Sequence, residues 1–187
     1  MTLEEMDKKV LALIEELNPD SKMLTDDPDI AAKIRYVTNQ KMFELVRMKK
    51  LPKYLEKKVR AGDVVDFAEL AKDCGYEIYQ INQVAGVANT RKGDGTILKF
   101  LEDGTAEIDV YVYPEQITAN TNGKSYEFEL TQDVLEIMPY GIAADLLMSD
   151  VSAKGGSVYA KQYELMLSRL DPRHQLTSIH IEGGVNV

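Results

Sequence analysis

Little in this sequence is reactive. Among 187 residues there is one cysteine, Cys74, there are two histidines, His174 and His180, and there is no tryptophan. A single cysteine excludes an internal disulfide. The two histidines lie too far apart for a one-turn helical metal pair, and no cysteine or carboxylate cluster completes a tetrahedral site. No apolar run approaches the roughly 20 residues a membrane-spanning helix needs, so no membrane partner is expected. The opening MTLEEMDKK places acids where a secretory signal carries basic residues followed by an apolar stretch. That start predicts a protein made in the cytosol.

Catalytic signatures are equally scarce. GxSxG is absent, and SAKGGS has two glycines and a lysine without the spacing of a phosphate-binding loop. KGDG (Lys92 to Gly95) and EDG (Glu102 to Gly104) read as turns, not as glycine loops opening a helix. Asp94 and Asp103 fall in separate turns, short of a calcium-loop pattern. Cys74 follows an amphipathic segment with no histidine nearby, the setting of a small buried hydrophobe more than of a nucleophile. His180 sits in an alternating stretch, where a structural position on a sheet face is the simpler reading. No catalytic residue, cofactor or metal is therefore expected.

What the chain does have is pattern. Its size, 21.0 kDa, suits one domain or one domain with a small insert, and its apolar fraction of 44% is ordinary. Thr2 and Glu5 form a capping-box signature, followed by Leu3, Met6, Val10, Leu13, Ile14 and Leu17 at helical spacing until Asn18-Pro19. Asp27-Pro28-Asp29 opens a second helix predicted to run to Lys50, with Ile30, Ile34, Val37, Leu45 and Met48 on its buried face. LPKYLEKKVR reads as a further short helical stretch. DFAELAKDCG reads as a small helix with Asp66 and Glu69 at its cap and Gly75 as its stop.

The period then shortens. YEIYQIN, TILKFL and AEIDVYVY alternate and predict an antiparallel meander from Tyr76 to Tyr113, with YEFEL as one more candidate strand. Helical spacing returns in TQDVLEIMPYGIAADLLM and in Ser157 to Leu170, which Asp171-Pro172 ends. Leu176 to Ile181 reads as a terminal strand. Pro139 leaves two readings open: one helix ends near Met138 and another begins, or a continuous helix bends. The fold expected is α+β: a helical bundle from 1–75 and 131–187, with a small antiparallel β insert at 76–130.

Charge is segregated. Lys33 to Arg60 holds ten Lys/Arg and two Asp/Glu, a net of +8 in a chain of net −9, so the rest carries −17. Lys49, Lys50, Lys53, Lys57, Lys58 and Arg60 are the candidates for an electrostatic contact. Three readings apply: a solvated helix end favoured by the dipole, an acidic protein partner, or DNA phosphates. Tyr54 is the only aromatic among them, which argues against stacking on single strands.

YVYPEQIT, then PYGIAADLL, then YAKQYELML resemble segments of small virion proteins of tailed phages and prophages. The matching positions are Tyr113, Pro114, Ile117 and Thr118, then Pro139, Tyr140, Ala143 and Leu146, then Tyr159 and Tyr163. DPDIAAKIRYVTNQKMFELVRMKK is similar to the second helix of that group. The nearest broad class is the head–tail connector, or neck adaptor, proteins. The resemblance implies a virion protein made in the bacterial host cytoplasm, a ring of identical copies, contacts with a portal or other neck and tail proteins, and DNA passing through. The strand-rich middle is larger than that of a minimal connector. Two other classes make distinct forecasts. A phage-derived DNA-binding or regulatory module using residues 47–60 would bind duplex in a salt-sensitive way. A small hydrolase would gather carboxylates around His174 or His180.

Overall fold

A computed structural model describes residues 1–14, 28–148 and 155–170. The architecture is α+β, with five helices and two three-stranded antiparallel sheets among the described residues. Leu17, Asn18-Pro19, Asp27, Asp171-Pro172, His174, His180 and the strand expected at Leu176 to Ile181 lie outside them.

Helix α1 (Leu3–Leu13) starts as its sequence requires. The Glu5 amide donates to Thr2 Oγ1 at 3.3 Å, and the Thr2 amide donates to Glu5 Oε2 at 2.9 Å. Leu3, Met6, Val10 and Leu11 are buried. Helix α2 spans Pro28–Met48, two residues short of the expected Lys50. Helices α4 (Gln132–Met148) and α5 (Gly156–Leu170) complete the bundle. Helix α4 packs on α5, α2 and α1, and its Val134, Met138, Ile142 and Ala143 are fully buried. Burying a side chain such as Ile142 contributes about 2–3 kcal/mol.

Helix α4 is continuous through Pro139. Proline there removes the N–H that would bond the Leu135 carbonyl, and burial on three helices offsets that loss. Gly141 has a separate reason. A Cβ at Gly141 would lie 2.8 Å from Tyr163 Cε2, so glycine lets α4 approach the α5 ring.

The segment LPKYLEKKVR, expected to be helical, is instead strand β1 (Pro52–Val59). Its exposure alternates residue by residue, with Tyr54, Glu56 and Lys58 open and Lys53, Leu55, Lys57 and Val59 more covered. Cross-strand pairing decides such a segment more than local propensity does. Strand β2 (Val64–Asp66) follows, so sheet structure begins at Pro52 and not at 76. Helix α3 (Phe67–Cys74) has the expected ends: Asp66 Oδ1 accepts from the Glu69 amide at 2.8 Å, and Gly75 adopts φ 77°.

Strands β3 (Ile78–Ala85), β4 (Asn89–Lys92), β5 (Ile97–Phe100) and β6 (Gly104–Val112) do not form the simple meander expected. One sheet has the order β1-β6-β3 and the other β2-β5-β4. Each strand of the first sheet leads, across a short connection, into or out of the strand at the same place in the second. The two sheets thus meet at a shared corner formed by residues 60–63, 86–88 and 101–103. Acidic side chains satisfy the corner amides: Asp63 accepts from Arg60, Asp103 from Ala61, and Glu102 from Ala88. EDG is therefore part of this corner and not a hairpin. KGDG does form the β4–β5 hairpin, with positive φ at Gly93, Asp94 and Gly95. Tyr126–Leu130 forms no strand; Glu127 makes only an isolated bridge to Thr2.

The described residues form two apolar cores. One fills the bundle with α1, α2, α4 and α5 side chains; the other fills the bent sheet, where Leu98, Phe100, Ile108, Val110 and Val112 are fully buried beside Leu70 of α3. Leu51 packs against both.

Candidate functional site

The joint between the cores is built from tyrosines and cations. Tyr113, just after β6, stands edge-on to Phe43 of α2 at 5.3 Å and tilts against Tyr79 of β3 at 4.9 Å. Arg47 lies over the Tyr113 ring at 5.5 Å, and its Nε donates to the Tyr113 hydroxyl at 2.9 Å. The Tyr79 hydroxyl donates to the Val46 carbonyl at 3.1 Å. Burial pushes the Tyr79 phenol up to about 12, so it stays a neutral donor at physiological pH.

The loop after Tyr113 is held by α2. Asn39 is buried and grips Ile117 from both sides: its Nδ2 donates to the Ile117 carbonyl at 2.7 Å, and its Oδ1 accepts from the Ile117 amide at 2.9 Å. Arg35 Nη1 donates to the carbonyls of Thr118 and Thr121 at 2.9 and 3.2 Å. Nearby, Asp7 of α1 has a buried Oδ1 with no hydrogen-bond partner among the described residues. Burial pushes its carboxyl up to about 6 against the opposing pull of Arg35.

The six basic candidates are mostly engaged within the chain. Lys49 pairs with Asp133 at 3.2 Å. Lys50 lies over the Tyr111 ring at 4.4 Å. Lys53 pairs with Glu129 at 3.2 Å and lies over Tyr76 at 4.2 Å. Burial works against the Lys53 charge, but hydrogen bonds to Tyr76 and Glu129 outweigh it and raise the pKa. Lys57 contacts Asp73 at 2.6 Å and Glu69 at 2.8 Å, which raise its pKa in that order. Lys58 and Arg60 alone among the six have no side-chain partner among the described residues. Strand alternation causes this split. Lys53 and Lys57 share the face toward α3 and the 129–133 segment, while Lys58 shares the open face with Tyr54 and Glu56.

A second network ties three helices. Lys41 of α2 bridges Glu44 at 3.2 Å and Asp145 of α4 at 3.0 Å, and its Nζ lies 5.0 Å above the Tyr163 ring of α5. The Tyr163 hydroxyl donates to Glu44 Oε1 at 3.0 Å. Burial, then the Glu44 charge, raises this phenol well above its ordinary range. Nothing in the local sequence around Tyr163 announces its charged partner Glu44, which approaches from 119 residues away.

Among the described residues, two apolar surfaces lie open on the bundle. A groove of ≈ 420 Å³ between α2 and α4 is lined by Ala32, Lys33, Tyr36, Val37, Asp145 and Leu146. Tyr36 is 66% exposed there. On α5, Val158 and Leu165 are 63% and 56% exposed, and their seven-residue spacing puts them on one face. Cys74 is half-buried, with its Sγ near the carbonyls of Ala71 and Tyr76. Among the described residues no group of three His, Cys, Asp or Glu side chains is placed to hold a metal ion, and no helix is long and apolar enough to cross a membrane. No protein-family model matches this chain, and no curated protein matches it.

Proposed function

We propose that this protein is a structural component of a tailed phage or prophage virion, in the head–tail (neck or connector) region, and acts by packing against other proteins. The observation that carries the reading is the pair of open apolar surfaces on the bundle. The α2/α4 groove and the Val158–Leu165 row share no residue. A ring of identical copies needs such a pair, because a head-to-tail contact joins two different surfaces.

The phage-like positions support the reading through their placement. Ile117 is gripped by Asn39, Tyr113 holds the joint, and Tyr163 ties α5 to α2. The Tyr159 hydroxyl donates to the Leu13 carbonyl at 2.8 Å, and its ring lies 6.4 Å from that of Tyr140. These residues build the bundle that presents the two surfaces. Of the six basic candidates only Lys50, Lys58 and Arg60 have no carboxylate partner among the described residues, which gives a phosphate-tracking stripe little to work with.

The test records the masses of the purified chain under native conditions, alone and mixed with a tailed-phage portal protein. A ring or portal-bound complex is expected. Tyr36→Glu or Leu165→Glu, each placing a charge on one surface, should abolish it while leaving the fold intact by circular dichroism. A complex indifferent to both substitutions, or none at any concentration, refutes the reading.

A further inference from the structure

We propose that the outer edge of β1 is a self-association site, where two copies of this chain pair antiparallel with Glu56 of each opposite Lys58 of the other. The inference does not depend on the virion reading, since it uses the sheet and leaves both bundle surfaces free.

Backbone direction identifies the edge. The Val112 amide donates to the Leu51 carbonyl at 3.1 Å, and the register continues Pro52↔Tyr111, Lys53↔Val110 and onward. Antiparallel ladders alternate, so Lys53, Leu55 and Lys57 turn their backbone groups toward β6. Tyr54, Glu56 and Lys58 therefore turn theirs outward. The opposite edge of the same sheet is closed. Strand β3 carries two register shifts, and Arg91 donates to the carbonyls of Ile81 and Asn82 at 3.1 and 3.0 Å. Strand β1 has eight residues in unbroken register and no such cover among the described residues. Lysines on an edge strand ordinarily discourage pairing. Here Lys53 and Lys57 are held by Glu129, Glu69 and Asp73, so only Lys58 projects from the strand on its open face.

Charge then selects the occupant and the register. Within one chain Glu56 stands opposite Glu107, and Tyr54 opposite Asp109. Like charges directly across a ladder are unfavourable, and the unpartnered cations, Lys58 and Arg60, sit at the far end of the strand. Only registers that oppose outward-facing residues allow hydrogen bonds across the new edge. One centred on Glu56 sets two glutamates face to face. One centred on Leu55 sets Glu56 against Tyr54 and Lys58 against Pro52, which has no N–H. The register centred on Lys57 sets Glu56 against Lys58 at both symmetric positions and brings Arg60 beside Tyr54. On the covered face it places Leu55 against Val59. It also opposes the two Lys57 side chains, each already bracketed by two carboxylates. Each Glu56–Lys58 pair exchanges two backbone hydrogen bonds. The Arg60 amide and carbonyl already bond Asp63, which ends the ladder there. The outcome is one continuous sheet from two three-stranded ones.

So short an interface makes a weak dimer, visible at about 10–200 µM. Sedimentation of the full chain across that range should show a monomer–dimer equilibrium. Glu56→Lys or Lys58→Glu alone turns both symmetric pairs repulsive and should weaken dimerisation about tenfold. The double swap should restore it. Hydrogen exchange supplies a second readout: the Glu56 and Lys58 amides should be protected at high concentration and unprotected at low. A monomer throughout with both amides always open overturns the proposal. So does a dimer that tolerates either single swap, or one that the double swap fails to recover. Complexes made through Tyr36 and Leu165 would be untouched by these swaps, so the two readings fail separately.

Discussion

Replacing Gly141 with alanine sets two effects of opposite sign against each other. Alanine is favoured over glycine inside a helix by about 1 kcal/mol, so an unobstructed Gly141→Ala would stabilise α4. The site is obstructed. The new Cβ would meet Tyr163 Cε2, Cδ2 and Cζ at 2.8, 3.0 and 3.1 Å, against about 3.5–4.0 Å for relaxed carbon contacts. The ring has little room to yield, because its hydroxyl bonds Glu44 and Lys41 lies over its face. Overpacking of this kind costs about 1–3 kcal/mol. Loosening a hydrogen bond to a charged acceptor adds about 1.5 kcal/mol or more. The net is a loss of about 2 kcal/mol, or roughly 4–8 °C in Tm for a chain of this size. Urea and thermal unfolding of the full chain measure it. The diagnostic step repeats the substitution in a Tyr163→Val background, where the obstruction is gone and helix propensity alone remains. There Gly141→Ala should stabilise by about 0.5–1 kcal/mol. A Tm that rises in the wild-type background, or the same sign in both, refutes the argument that Gly141 exists to admit the ring.

Asn39→Ala should destabilise the chain by about 2–4 kcal/mol in urea unfolding, because it strips the Ile117 amide and carbonyl of buried partners. Asn39→Asp should be at least as damaging near neutral pH, since it keeps the acceptor for the Ile117 amide but sets a buried carboxylate oxygen against the Ile117 carbonyl. Asp7 predicts a pH dependence. Its folded value of about 6 lies above its ordinary 3.8, so the folded state holds the proton more tightly and this contribution to stability is lost as pH rises through 6. The full difference is worth about 3 kcal/mol. Asp7→Asn should therefore gain most over the wild type above pH 7 and progressively less toward pH 4, read from paired unfolding curves. A gain independent of pH removes Asp7 as the cause.

Some of this molecule was legible in its residues. Thr2 with Glu5, and Asp66 with Gly75, marked helix ends because capping uses only near neighbours in the chain. KGDG marked a hairpin because its φ values admit few other residues. The apolar stripes of α1, α2 and α5 announced a bundle. LPKYLEKKVR was misread because a lysine-rich amphipathic stretch satisfies helical spacing as readily as strand alternation. Its β6 partner, about fifty residues on, settled the matter. The bent sheet was illegible for a similar reason: alternation shows that strands exist, but not which of them pair or where they turn a corner.

The sequence by itself determined the fold class, the scarcity of reactive side chains and the total of each charge, since these depend on composition and on spacing along the chain. Tertiary structure alone decided which charges are spent. Lys49, Lys53 and Lys57 meet carboxylates that folding brings from elsewhere in the chain, whereas Lys58, one position along from Lys57, points the other way and has no side-chain partner among the described residues. Coulomb attraction depends on distance in space, and no linear pattern fixes that distance before the chain has folded.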